Sequence, residues 1–430
     1  VEQTYLIVLT SGRMRVFRAD GVALADVVGA PWTAAQARQM NWAQSADTLL
    51  LTHPHLPPQR VRRGTFETLW TIDALPLENL PTHDFGPLGI GGSVQPRAVS
   101  GAIIAISATG ALFAPPVTLG WTLAGNGGRA RITQIVSAVY AFATVIKPFA
   151  DTTPISDYTM EEPVISAARG WPECVTFHKS RLWFAGLRSR PATLMASIIG
   201  SFFDFNTAST EDDQAIYATI DSDQVNAIHQ MTSGRSLQIF TAGAEFTIEG
   251  DTITPRTVAV REQTRRGIQR WSRTAEVDGA TLFVQRGGAA LRSFLFADTE
   301  QAWNSQLASL LAPHLIQAPR EPIIRKGASQ DDADHVLLPV GTGEMAVMTT
   351  LRAQEITAFS RWQTDGLIHA AAALSSGEVY LGIARGGQMR IERWADQALL
   401  DASIQRTDTA PFSTLTGTAH LGGQAALILD

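Results

Sequence analysis

A hairpin signal that keeps returning along the chain is what most restricts the folds open to it. Each time, a run rich in β-formers is followed by a short polar or Gly-containing turn and then a second such run. The first pairs Tyr5–Thr10 with Arg13–Arg18 across Ser11 and Gly12. Others begin near Thr48, Cys174, Ser236, Thr281, His335 and Glu378. The clearest run from Ser236 to Gly250, turning at Ala242-Gly243, and from Glu378 to Trp394, turning at Gly386-Gly387. The starts lie 43 residues apart (5 to 48), then 62 (174 to 236), 45, 54 and 43. A four-stranded propeller blade takes about 40–50 residues. Seven hairpins at this spacing predict a mainly β chain, a β-propeller with few short helices. The turn at Gly243 is expected to need glycine for a positive φ.

One interval breaks the rhythm: 126 residues separate the starts at 48 and 174. Residues 93–148 inside it are rich in Ala, Ser, Thr, Ile and Val and carry only Arg97, Arg129, Arg131 and Lys147 as charges, with a Gly125-Asn126-Gly127-Gly128 turn. The expected organisation is therefore a first part of the propeller over 1–90, a small β-barrel or sandwich inserted over 93–148, and the remainder of the propeller over 160–410. Residues 416–430 read as the start of a further, truncated β segment. Pro148, Thr152-Thr153-Pro154 and Glu161-Glu162-Pro163 predict a linker back to the ring. Helical patterns are few: Thr33–Met40, Gln301–Leu311 and the shorter Ala395–Asp401. The sequence opens in a strand without an initiator Met and stops in the apolar run Ala425–Leu429, so the intact protein is expected to continue both ways.

Composition narrows the function classes. Charged residues make up 17% against about 25% in an average domain, as expected of a surface partly covered by partners. A net charge of −6 argues against a basic grip on nucleic acid. The single cysteine, Cys174, excludes an internal disulfide framework and fits a reducing compartment; it reads as a small buried apolar residue. Val1-Glu2-Gln3-Thr4 shows no signal-peptide pattern. The most apolar window, Ile103 to Trp121, is interrupted by Pro115-Pro116 and several Gly, Ser and Thr residues, so it reads as strands and predicts no membrane span.

Motifs for chemistry are weak. No G-x-x-x-x-G-K-[ST] or G-x-G-x-x-G loop is present, and Gly125–Gly128 reads as a tight hairpin. His53-Pro54-His55, with His83-Asp84 as further ligands, resembles the start of a metal site, but lacks the companions of a known motif. Glu211-Asp212-Asp213 and Asp221-Ser222-Asp223 lack the Gly and terminal Glu of a calcium loop and read as solvated surface or a subunit contact. Aromatics beside arginines, Arg181-Leu182-Trp183-Phe184 and Arg361-Trp362, are of a type that stacks on bases or sugars; alternation in a strand assigns about half of them to packing. Neither G-x-S-x-G nor the sialidase-type S-x-D-x-G-x-T-W box occurs. The expectation is a non-enzyme with no catalytic, cofactor-binding or metal-binding residue and no cofactor.

Several segments, in a shared order, resemble the bacteriophage tail nozzle (tail tubular protein B) family. Gln44-Ser45-Ala46-Asp47-Thr48 through His53-Pro54, then Pro57-Pro58, Arg62-Arg63 and Trp70, is similar to its "QSADxLxxxHPxxPPxxLxR" followed by a tryptophan strand. Trp171-Pro172 through Val175-Thr176-Phe177 and Arg181-Leu182-Trp183-Phe184-Ala185-Gly186 is similar to "YPxxVTFFxxRLWFAG". Ser197 with Gly200–Phe205, Leu237–Phe246, Thr254-Pro255, Gln263–Gly267, Leu351–Ser360 and Ile391-Glu392-Arg393-Trp394 continue the series. His178-Lys179 and Ala353 depart from it. The resemblance implies a virion structural protein, assembled in the host cytoplasm into a homohexameric ring. That ring would contact tail adaptor or portal-side proteins and tail fibre or tip proteins, and genomic DNA would pass through its channel during ejection. It carries over no catalytic residue. Two other classes compete: a receptor- or glycan-binding propeller of the tail-fibre or adhesin type, and a secreted glycosidase propeller.

Overall fold

The computed structural model describes residues 3–222, 226–327, 332–351, 354, 356–394 and 401–403. The expected segment at 416–430 and most of Ala395–Asp401 lie outside these residues. Eight antiparallel sheets account for nearly all of the regular structure. In chain order the first holds β1 (Tyr5–Thr10), β2 (Arg13–Arg18) and β3 (Ala23–Val28). After a short helix, α1 (Ala34–Gln39), the second holds β4 (Asn41–Ser45), β5 (Thr48–His53), β6 (Leu56–Arg63) and β7 (Trp70–Ala74). Thr33 caps α1: its hydroxyl accepts from the Gln36 amide while the Gln36 side chain accepts from the Thr33 amide.

The next sheet is the insertion: β8 (Thr82–His83), β9 (Val94–Pro96), β10 (Ile104–Ala108), β11 (Thr122–Gly125), β12 (Gly128–Ser137), β13 (Tyr140–Lys147) and β14 (Tyr158–Pro163). Its strand order is β8-β14-β11-β12-β13-β10-β9. Reciprocal backbone bonds between Val94 and Ile155, 2.9 and 2.7 Å, bring the two ends together and roll the sheet into a small barrel. Val94, Ile106, Leu123, Ala130 and Ala141 fill it with no exposed surface. The sheet therefore reaches beyond 93–148 on both sides. Residues 158–163, expected as linker, are a strand, because the acidic pair finds partners there: Glu161 meets Arg129, and Glu162 meets Arg169 at 2.6 Å. The expected Gly125–Gly128 turn joins β11 to β12, with Asn126 and Gly127 at φ 46° and 71°.

Five more sheets follow. The third blade is β15 (Pro172–His178), β16 (Arg181–Leu187), β17 (Arg190–Ala196) and β18 (Ile216–Thr219). The fourth is β19 (Ile228–Ser233), β20 (Leu237–Thr241), β21 (Glu245–Ile248) and β22 (Val260–Thr264). The fifth is β23 (Ala275–Val277), β24 (Ala280–Val284), β25 (Leu291–Ala297) and β26 (Ala302–Leu307). The sixth is β27 (Ile323–Arg325), β28 (Asp334–Pro339), β29 (Met345–Leu351) and β30 (Ile356–Trp362). The seventh is β31 (Leu367–Ala373), β32 (Val379–Arg385) and β33 (Gln388–Arg393).

Packing between sheets makes the ring. Met14 and Val16 meet Leu51 and Val61; Leu50 meets Leu182 and Phe184; Trp183 and Ala185 meet Ile239 and Phe246. Phe240 meets Phe283 and Phe294, Leu282 and Val284 meet Val336 and Met348, and Leu337 and Val347 meet Ile368 and Val379. Leu6 and Phe17 of the first sheet then pack on Leu374 and Tyr380 of the seventh, and the Tyr380 hydroxyl donates to the Ala19 carbonyl. Seven blades closed by the first and last sheets form a β-propeller. Strand alternation explains the economy of the pattern: Trp183 and Ala185 face one neighbouring blade, Leu182 and Phe184 the other. Trp183 and Phe184 are both fully buried, so the whole Arg181–Phe184 cluster is packing, and neither aromatic points outward to stack on a ligand.

Two expectations of local structure fail. Gln301–Leu311 is no helix: Ala302–Leu307 pairs in register with β25, and Trp303 stacks on Phe294 at 4.9 Å. Gly243 does not take a positive φ. The glycine this corner needs is Gly267, at φ 73°, where a Cβ would stand 2.3 Å from the Ala242 carbonyl oxygen.

Candidate functional site

The blades meet at the axis through their first strands, β4, β15, β19, β23, β27 and β31, of which β15 packs on β4 and β19, and β27 on β23 and β31. Polar residues cluster where the chain enters these strands. Glu173 on β15 is buried and fully engaged: one carboxylate oxygen faces His229 Nδ1 at 2.8 Å and accepts from Arg270 Nε at 3.2 Å, and the other accepts from Arg270 Nη2 at 3.0 Å. The Arg270 guanidinium lies 4.2 Å over the Trp271 ring. Trp271 in turn stacks on His53, centroids 5.5 Å apart and planes 7° from parallel. Trp271 holds φ at 67°, a conformation that costs a bulky residue energy and persists only where surroundings enforce it.

His53 ends β5, and with Pro54 and His55 it forms the turn into β6. Its Nε2 lies 3.2 Å from Gln39 Oε1 and its Nδ1 accepts from the His55 amide at 3.2 Å. Burial, and then the neighbouring His55, push the His53 imidazole down to about 4; Glu173 works against this. The imidazole is thus neutral and structural. His83 lies elsewhere, on the barrel edge, where Arg190 Nη1 approaches its Nδ1 at 2.8 Å. The histidines and Asp84 do not converge, and among the described residues no group of three His, Cys, Asp or Glu side chains is placed to hold a metal ion.

A second cluster lies beside the first. Arg273 lies 3.7 Å over the Trp42 ring and donates to the Trp42 carbonyl at 3.2 Å. Asn41 donates to Gln230, which reaches Thr274 at 3.4 Å. Arg38, Arg320, Glu321 and His369 act on Arg273 and on one another through their charges. Burial raises the Glu321 carboxyl, with Arg273 and then Arg320 opposing; burial, Arg320 and Arg38 lower His369. The Arg273–Trp42 and Trp271–His53 contacts join the approach to the fifth blade to the second, nearly opposite in the ring. Side chains therefore cross the propeller's own axis.

The acidic loop has a different job from solvation alone. The Arg181 guanidinium is fully buried and donates to the carbonyls of Ser197 (2.6 Å), Asp212 (2.7 Å), Asp213 (3.2 Å) and Gln214 (2.7 Å). It pins that loop through its backbone, leaving Glu211, Asp212 and Asp213 exposed. Asp223 lies outside the described residues. Arg361 is exposed, and Trp362 packs edge-on against Trp394 at 4.5 Å. Cys174 is buried beneath the third and fourth blades, and burial raises its thiol well above the usual value.

The axial residues form no sequence motif because they are drawn from several blades. A periodic signal does exist: Glu173, His229, Arg273, Glu321 and His369 recur at intervals of 56, 44, 48 and 48 residues, one polar group at the entrance to each of the third to seventh blades.

No family model and no curated protein matches the chain. Among solved structures it is similar to YCF48 bound to D1 peptide, with 13% identity and a TM-score of 0.31 over 50% of this chain. The match spans 62% of that chain's length. It is also similar to a functionally unknown protein from Desulfotomaculum acetoxidans, with 10% identity and a TM-score of 0.40, covering 90% of this chain and 92% of that one. Among the described residues no helix is long and apolar enough to cross a membrane.

Proposed function

We propose that this propeller is a non-enzymatic structural subunit of a tailed-phage virion, a ring-forming tail nozzle protein, and that homohexameric copies surround the DNA exit channel. The observation that carries the reading is the ordered series of resembling segments and where they fall. Gln44–Pro54 holds the end of β4 and all of β5, Trp171–Gly186 builds β15 and nearly all of β16, and Leu237–Phe246 builds β20 and the start of β21. These strands supply the inter-blade core, so what resembles the family is scaffold rather than a catalytic surface. Because side chains cross the propeller axis, a DNA path in such an assembly runs between copies and not through each toroid. Closed blades suit this role, since they leave few strand edges open to stray pairing. Repeated head-to-tail contact closes a ring. Its neighbours would be tail adaptor or portal-side proteins above and fibre or tip proteins below.

A second reading, a receptor- or glycan-binding propeller, is favoured by the aromatic and cationic groups at the axial face, where Trp42 keeps 44% of its surface exposed. Mass spectrometry and immunogold labelling of purified particles separate the two. The tail reading expects the chain in stoichiometric amount at the tail end. Absence from particles, with the purified chain binding a glycan panel as a monomer, favours the second.

A further inference from the structure

We propose that the free edge of β1 in the first blade is a docking site for one more strand, supplied by residues 416–421 of the same chain. The inference is independent of the tail reading. The second to sixth blades each hold four strands, whereas the first holds β1, β2 and β3, with only one edge of β1 paired among the described residues. At the rim, β3 packs on β7, the last strand of the second blade. Counted inward from that rim, β1 takes the second place in its blade, and the innermost place belongs to a strand beyond these three. Burial agrees. In the same second place, β16, β20 and β24 are buried at every position. In β1 only Leu6 is buried, while Ile7, Val8 and Leu9 stay half-buried. Such an open apolar edge invites stray pairing and leaves about half of the strand's backbone groups without a ladder partner.

Chain order and spacing identify the occupant. The chain passes from each blade into the inner strand of the next, and the blade after the seventh in the ring is the first. Leu374 and Tyr380 of the seventh blade already pack on Leu6. Between the third strand of one blade and the inner strand of the next lie 31, 26, 25 and 15 residues, for the third to sixth blades in turn. The same interval counted from Arg393, the end of β33, reaches from position 409 to 425. Within that window Gly417-Thr418-Ala419-His420 repeats the pattern of Gly366-Leu367-Ile368-His369, the entry to β31, 51 residues earlier. His229 likewise follows Ile228 at the start of β19. Residues 416–421 lie outside the described residues. Their sequence contains no Asp, Glu, Lys or Arg, equals the six residues of β1 in length, and is followed by Gly422-Gly423, a strand-ending pair. Addition of a strand to an open sheet edge draws its affinity from the main chain, so a segment this plain in side chains suffices.

The test is hydrogen–deuterium exchange of the full chain, read by mass spectrometry on peptides covering β1. In the parent, β1 is expected to be protected like β20, with no change on dilution. Free exchange of β1 in the parent overturns the proposal, and so does protection that falls on dilution, which assigns the edge to a second copy. Neighbouring positions of a strand point their N–H groups to opposite edges, so one of Thr418→Pro and Ala419→Pro removes a bond to β1 and is expected to speed its exchange at least about tenfold. Unchanged exchange in β20 shows that the ring is otherwise folded. Where a proline variant does not fold, glycine at the same position takes its place with the same expected direction. Leu427→Pro, beyond Gly422-Gly423, is the control and leaves β1 as in the parent. Folded variants at 418 and 419 that both leave β1 protected, or an equal effect of the control, overturn the proposal.

Discussion

Replacing Gly186 with alanine tests the blade geometry where it is least forgiving. Gly186 lies in β16 at φ 65°, within the register break between Ala185 and Leu187 where β16 pairs with β17. A glycine in the left-handed region is what such a bulge uses. An added Cβ would stand 2.3 Å from the Ile228 carbonyl oxygen of the next blade and 3.0 Å from the Glu173 Cβ. The left-handed conformation costs an L-residue about 1–2 kcal/mol. Forcing an atom into a filled site adds about 1–3 kcal/mol, for a total of about 2–5 kcal/mol. Gly127→Ala is the control: φ is 71° there but nothing lies within 4 Å, so only the backbone cost of about 1–2 kcal/mol remains. Urea unfolding of both variants beside the parent gives the comparison through midpoints at a shared slope. Equal losses in the two would refute the close approach of the third and fourth blades at Gly186, and with it the packing of β15 on β19.

Two further outcomes follow from buried polar groups. Arg181→Lys cannot reproduce a planar fork that reaches four carbonyls and leaves some of them unmet, at about 1–3 kcal/mol; limited proteolysis should then cut near 209–214 faster, and an unchanged cutting rate would contradict the clamp. Burial holds both His53 and His178 near 4, below their ordinary 6.5, so each stays neutral in the fold while the unfolded chain takes up its proton. Their contribution is complete above pH 6.5 and is lost as pH falls towards 4. Two such groups give a slope of up to about 2.7 kcal/mol per pH unit. In urea unfolding at pH 4.5 to 7.5, His178→Gln should reduce this slope by about one proton's worth, and an identical profile would refute the assignment.

Much of the fold is legible in the sequence because strand alternation and turn chemistry are local. The hairpins starting near Thr48, Cys174, Ser236, Thr281, His335 and Glu378 correspond to β5–β6, β15–β16, β20–β21, β24–β25, β28–β29 and β32–β33. Thr33 to Met40 was equally readable, since its cap lies within one turn. What fails depends on distant partners. In Gln301–Leu311, Trp303 and Leu307 stand four apart like one helix face, but the Trp303 indole donates to Glu249 at 3.0 Å and stacks on Phe294, so a strand wins. Leu310 and Leu311 are left 65% and 91% exposed. Glu161 and Glu162 read as linker until Arg129 and Arg169 come into view. The axial cluster is assembled from positions between 38 and 369, and only the blade spacing ties them together.

The most direct test of the proposed role is cryo-electron microscopy of intact particles focused on the tail end. The account predicts a ring of six copies, each a seven-bladed propeller carrying its inserted barrel, around a continuous channel separate from the propeller axes. A tail end without this chain, or DNA threaded through the propeller's own axis, would contradict it.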